Sequence, residues 1–350
     1  MKKYLNILTT IAVSILIGSV IMLAMGHDPV RAYIELLRGA FVGNLSLGTT
    51  LARFVPLLLT AFAFVFSARV GVFNVGVEGQ MYLGAIAAAW VGFTFAGLFG
   101  PLHMLLCFLA AAVVGMAWAY IPGALKVNWG VNEICVTIML NYIAIFFTSF
   151  LTIGPLSART GVPRTPSVSP SVVLPRILSP SAANAGLFIA VIVAALLIFV
   201  FYKTSLGYAL KTVGLNPAHA EYIGIDPKRT IIKAMLISGS VGGITGAIEV
   251  LGVYGHFLDG FSDNIAFNGM LVALIVKNDP KMVPFMAFFL AVLQSGALGM
   301  ERNSGVPRSV IDVVIAVFIV FACAEIFAGL KKRRSAKNLT GQAGGGGVSA

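Results

Sequence analysis

The polar residues able to handle a solute are few, and they cluster. Asn74, Glu78 and Gln80 lie in GVFNVGVEGQM (71–81), an interruption between long apolar stretches. A carboxylate and two amides at this spacing offer acceptors and donors together, a set suited to a neutral solute with several hydrogen-bonding groups. Phe73 adds a flat apolar face for an aromatic ring. Further candidates are Asn141, about two turns inside a following apolar segment, Glu249 near the end of another, and Asn268 in Phe267-Asn268-Gly269, a short echo of Phe73-Asn74-Val75-Gly76. Asn132 and Glu133 read better as a helix cap and a first-turn acid. No paired catalytic residues stand at a convincing spacing, so no enzymatic activity is expected. The cysteines (Cys107, Cys135, Cys323) and the histidines are scattered without metal-ligand spacing, so neither a metal site nor a disulfide framework is expected.

These residues need a membrane scaffold. The 350-residue chain is 58% hydrophobic and only 11% charged, against roughly 25% charged in soluble domains. Apolar runs of about 20 residues match a hydrocarbon core about 30 Å thick. The expected fold is all-α and polytopic, with spans at 5–25, 50–68, 79–97, 103–121, 132–152, 184–202, 230–252, 264–277, 282–299 and 308–329. The first run is longer than the 7–15 apolar residues of a signal peptide, which argues for a true span. With the N-terminus inside, every lysine falls in an inside loop or span end, and the outside carries arginines alone, so both termini are expected in the cytoplasm. The net charge of +11 is therefore a topology signal, and no nucleic-acid partner is expected. One transmembrane domain, 1–334, would be followed by a disordered tail, 335–350.

Within this scaffold the 71–81 segment reads as a broken or re-entrant helix. Broken backbone and a carboxylate at membrane depth persist only where protein or an aqueous cavity surrounds them. An alternative assigns Gly71, Gly76 and Gly79 to close helix packing. Outside, residues 26–49 include a candidate interfacial helix, and the Pro- and Ser-rich 153–183 loop reads as irregular. Inside, the longest loop, 204–230, carries full helix punctuation. Asn216 suits an N-cap, Pro217 the first helical position and Gly224 a left-handed C-terminal position. The enclosed helix, about 217–223, is too short to stand alone. Either its own spans or a cytoplasmic partner must hold it.

VGLNPAHAEYIGI, in this loop, resembles the coupling segment of permease subunits in bacterial ABC importers. GVFNVGVEGQMYLGA, LKVNWGVNEICVTIMLNYIA and GAIEVLGVYGHF resemble, in the same order, the ribose/nucleoside-type branch, and most closely its nucleoside-type members. The resemblance covers roughly 5–330. It departs at FNGMLVALIVKNDP (267–280), where Asn268 stands for a usual Asp and Val276 for a usual Gly. It implies import of a small polar solute, a nucleoside first and a simple sugar second, through a multi-pass protein of the bacterial cytoplasmic membrane. ATPase coupling would fall to Gly214, Asn216, Pro217, His219, Glu221 and Gly224. The chain has no G-x-x-x-x-G-K-[ST] run, so ATP and Mg are expected on a separate ATPase subunit and no cofactor on this chain. The other implied partners are a second, non-identical permease chain and an extracytoplasmic binding protein. The competing class is an ATP-independent secondary transporter using Glu78, Glu133 and Glu249 as coupling carboxylates.

Overall fold

The computed structural model describes residues 13, 15–307 and 309–317. The start of the first expected span, the end of the tenth and the 335–350 tail lie outside these residues. The chain divides into two compact units, Leu37–Gly296 and a unit formed by Met1–Leu36 with Ala297–Ala350.

α1 (Ile15–Ala24) turns by 119° into α2 (Pro29–Phe41). The Tyr33 hydroxyl donates to the Ile15 carbonyl at 2.8 Å and so pins the bend. The segment expected as a short interfacial helix is thus the second arm of a bent pair.

The larger unit holds α3 (Asn44–Ala68), α4 (Val77–Thr94), α5 (Gly100–Trp129), α6 (Glu133–Ile153), α7 (Gly186–Lys203), α8 (Ser205–Leu215), α9 (Pro217–Tyr222), α10 (Pro227–Ile248), α11 (Ile265–Ile275) and the start of α12 (Val283–Ser304). α10 continues as a π-helical turn, Glu249–Tyr254. Local chemistry sets many of these ends. Asn132 accepts from the Ile134 and Cys135 amides at 3.0 and 3.4 Å and starts α6. Beside it, Glu133 pairs with Lys126 at 2.8 Å. Asp226 caps α10 at the Arg229 amide ahead of Pro227. Gly130, left-handed at φ 66°, closes α5.

The core is α4 packed against α5, α6 and α10, with α3 against α10 and α11. Small residues let the backbones nearly touch. A methyl group added to Gly243 of α10 would lie 2.1 Å from the Ala111 carbonyl oxygen of α5, and one on Gly246 would lie 2.1 Å from the Met81 carbonyl of α4. Such contacts are the usual source of helix association where lipid removes the hydrophobic drive.

Among the described residues, six helices are long and apolar enough to cross a membrane, or seven if the bent pair counts as one span. α4 is not among the six, because Glu78, Gln80 and its glycines dilute it. The expected span at 264–277 is shortened to α11, eleven residues. At 1.5 Å per residue it is about 16 Å long, half of a hydrocarbon core about 30 Å thick. The 153–183 loop is irregular, as expected, apart from one short turn at Pro170–Val172 and isolated bridges to Leu258 and Asn184.

Candidate functional site

Residues 69–76 form a non-helical break between two separate helices, α3 and α4, and the bent helix pair among the described residues is instead Ile15–Ala24 with Pro29–Phe41. Gly71 takes φ 81° with open space around its α-carbon, a conformation that other residues adopt at a cost. The polar side chains nearby are spent on the broken backbone. Asn74 is fully buried. Its Nδ2 donates to Gln80 Oε1 at 3.1 Å and to Ser238 Oγ at 2.8 Å, and its Oδ1 accepts from the Gly76 amide at 3.0 Å and from Gln80 Nε2 at 3.2 Å. Asn141 of α6 bridges the break. Its Nδ2 donates to the Val75 carbonyl at 2.9 Å and its Oδ1 accepts from the Gly79 amide at 2.8 Å. The glycines also serve close packing, since a methyl on Gly79 would meet Asn141 and Ala144 at 3.0 Å.

Glu78 makes a second, unexpected connection. Its Oε2 accepts from the Ala266 amide at 2.9 Å and its Oε1 from the Ser262 hydroxyl. Ala266 is the second residue of α11, so a carboxylate from α4 caps a half-length helix beyond the reach of local sequence. The positive end of the helix dipole and the unpaired amides of a first turn both favour an anion here. The Ser262 carbonyl accepts from the Tyr82 hydroxyl at 3.4 Å, and the Tyr82 ring packs on Phe257 and Phe261.

The break and α11 meet at a shallow surface groove lined by Phe64, Asn74, Val75, Val77, Ala266, Phe267 and Met270. The Phe73 ring lies 5.9 Å from that of Phe64. Phe73 and Phe267 remain 38% and 39% exposed. What the groove offers is therefore apolar and aromatic.

In the 204–230 loop, α9 is one turn and a half. Asn216 Oδ1 caps it at the His219 amide, 3.2 Å, and Gly224 ends it at φ 84°. Tyr222 is 90% exposed and Leu215 77% exposed. Ala220 is the buried residue of α9.

The family model described as "branched-chain amino acid transport system / permease component" matches residues 46–323. The chain belongs to this permease family. It is 35% identical over 334 residues to the nucleoside ABC transporter permease protein NupB of Lactococcus lactis, covering 93% of this chain and 92% of the relative. It is also 35% identical over 322 residues to the guanosine ABC transporter permease protein NupP of Bacillus subtilis, covering 91% and 92%. The glucose ABC transporter permease protein TsgB13 of Haloferax volcanii is 31% identical over 329 residues, covering 91% and 86%. The chain is thus an ABC importer permease, a multi-pass protein of the inner membrane.

Of the candidate residues, the permease brings Phe73, Asn74, Glu78, Gln80 and Asn141 together at the break. Asn268 is half-buried in α11, next to Phe267 and outside the groove lining. Glu249 is buried elsewhere, in the π-helical turn of α10, against a separate small cavity lined by Leu51, Ala52, Val55 and Asn184. Sequence reasoning missed Ser238, Ser262 and the Ala266 amide. Only a residue without local partners, such as Glu78, signals that distant ones must exist.

Proposed function

We propose that this permease carries a nucleoside inward, with the groove between the 69–76 break and α11 as part of the solute path. The observation behind this reading is the exposure of two aromatics, Phe73 and Phe267, beside amides already engaged with the backbone and with one another. A flat heterocycle gains by stacking there, whereas a sugar would find few free hydrogen-bond partners on this wall. The two relatives named for nucleoside and guanosine transport support the same choice. The relative named for glucose supports the second reading, a simple-sugar permease. A second permease chain, non-identical in our reading, supplies the facing wall.

ATP binding and hydrolysis belong, in this proposal, to a separate ATPase subunit that receives α9, with Gly214, Asn216, Pro217, His219, Glu221 and Gly224 shaping the docking segment. The exposure of Tyr222 and Leu215 supports a partner there, since apolar side chains at a loop tip gain most from being covered. A binding protein outside delivers the solute. Both termini lie in the cytoplasm, and the competing proton-coupled mechanism would leave α9 without a task.

The test is reconstitution of the permease with its ATPase, second permease chain and binding protein in vesicles. ATP-dependent uptake of labelled nucleosides is expected, with no uptake by this chain alone. Glu221→Pro should abolish uptake while leaving the chain inserted, because a proline inside a helix costs it about 3 kcal/mol. Uptake of pentoses or hexoses with nucleosides excluded would reverse the substrate choice, and full uptake by Glu221→Pro would remove α9 from the coupling role.

A further inference from the structure

Arg69 stands where four pieces of the permease meet. Its Nε donates to the Asn278 carbonyl, in the loop after α11, at 2.6 Å. Its guanidinium carbon sits 5.1 Å from the centre of the Phe201 ring on α7. Its own backbone follows the end of α3 and touches α8 directly: a methyl on Gly214 would lie 1.8 Å from the Arg69 carbonyl oxygen. The same loop is tied again by the Tyr202 hydroxyl, which donates to Asp279 Oδ1 at 3.2 Å, and by Lys281, whose Nζ lies 4.6 Å from the Tyr202 ring centre.

Arg69 and Glu78 are the two flanks of the break. Glu78 holds the first turn of α11, and Arg69 holds the loop that follows its last turn. α11 therefore lies as a strut across the interruption, fixed at both ends to the residues that bound it. Gly71, two residues from Arg69, has the left-handed φ of a pivot. No side chain separates α8 from Arg69, so no rotamer change can absorb a movement of α8. Packed elements of this kind shift between discrete arrangements rather than deform.

We infer that Arg69 is a positioning residue that passes movement of α8 and α9 to the break and to α11 as one body, so that Phe73 and Phe267 shift together. The inference rests on the proposed docking of an ATPase on α9. Phe201 and Asn278 are the seats that keep the guanidinium in register, and Gly214 is the point of push. Lysine cannot replace this arginine, because a point charge on a flexible stem lacks the planar group that both bonds to a carbonyl and stacks on a ring.

The experiment uses the full transporter in lipid discs. Phe73→Cys serves as a reporter in a Cys135→Ser background, read by the rate of labelling with a thiol reagent with and without ATP. With Arg69 intact, ATP should change the rate at position 73. In Arg69→Ala the change should vanish and uptake, measured without the reporter, should fall about tenfold or more, within the range of coupling between sites, while ATP hydrolysis continues. Arg69→Lys should behave the same way, and it decides the question if Arg69→Ala does not assemble. An unchanged ATP response at position 73 in both variants overturns the inference, as does a transporter that couples uptake to ATP with no response at position 73. Absence of ATP-driven uptake with Arg69 intact would instead overturn the proposed function.

Discussion

At the scale of single residues, the permease uses its polar side chains to repair the backbone. Asn74, Gln80 and Asn141 stand out in the sequence because they are amides inside apolar surroundings. Their hydrogen-bond capacity goes to one another, to Ser238 and to the open peptide groups at Val75, Gly76 and Gly79. A buried break in the helix leaves backbone donors and acceptors that need partners, so the residues best able to bind a solute are also those best able to mend the chain. Composition and spacing cannot separate these uses, because both need the same atoms. Glu78 allows a direct test. Glu78→Ala strands the Ala266 amide and the Ser262 hydroxyl, and leaving such a buried group unsatisfied costs about 1–3 kcal/mol. The thermal unfolding midpoint in detergent should fall, and Glu78→Gln, which keeps one oxygen acceptor, should fall less. Equal midpoints for Glu78→Ala and the parent would show that the cap contributes nothing to stability.

At the scale of elements, legibility follows the range of the forces. Caps are local, and Asn132, Asn216 and Gly224 announce their helix ends from sequence alone. The glycines of GSVGGITGA (239–247) pack closely on α4 and α5. Gly243→Leu would drive a branched side chain into the Ala111 carbonyl. Overpacking a tight contact costs about 1–3 kcal/mol or more, so the variant should lose its monodisperse peak in size-exclusion chromatography. A normal elution profile and yield would contradict the packing described. α11 was the element hardest to foresee. Residues 264–277 have the apolar content of a span but not the length of one, and the reason the helix can begin at Ile265 lies almost 190 positions earlier, in Glu78. No window of local sequence contains that information.

At the scale of the whole molecule, apolar content and charge sorting carry the architecture. The helical membrane fold and the family were legible because each depends on many residues at once. The number of crossings was less so, since α4 is too polar and α11 too short to register by hydropathy. The inside-lysine pattern makes a sharp statement about sidedness. Single cysteines placed near Thr160 should react with an impermeant thiol reagent added to intact cells, and cysteines near His219 only after the membrane is opened. The reverse pattern would invert the arrangement and bring α9 to the wrong side for any ATPase.

The enclosure of α4 also bears on how the chain is made. A helix that lipid hardly touches has no need to be stable in lipid, and α4, with Glu78 and Gln80 in its first turns, is poorly suited to enter a bilayer unaided. Its packing partner α5 follows at once, but α10 begins only at Pro227, more than a hundred residues later. During synthesis α4 therefore waits with one flank uncovered, and Glu78 waits longer still, until residues 262–266 have emerged. Biogenesis of this permease must hold an unfinished helix near the insertion machinery until its late neighbours arrive.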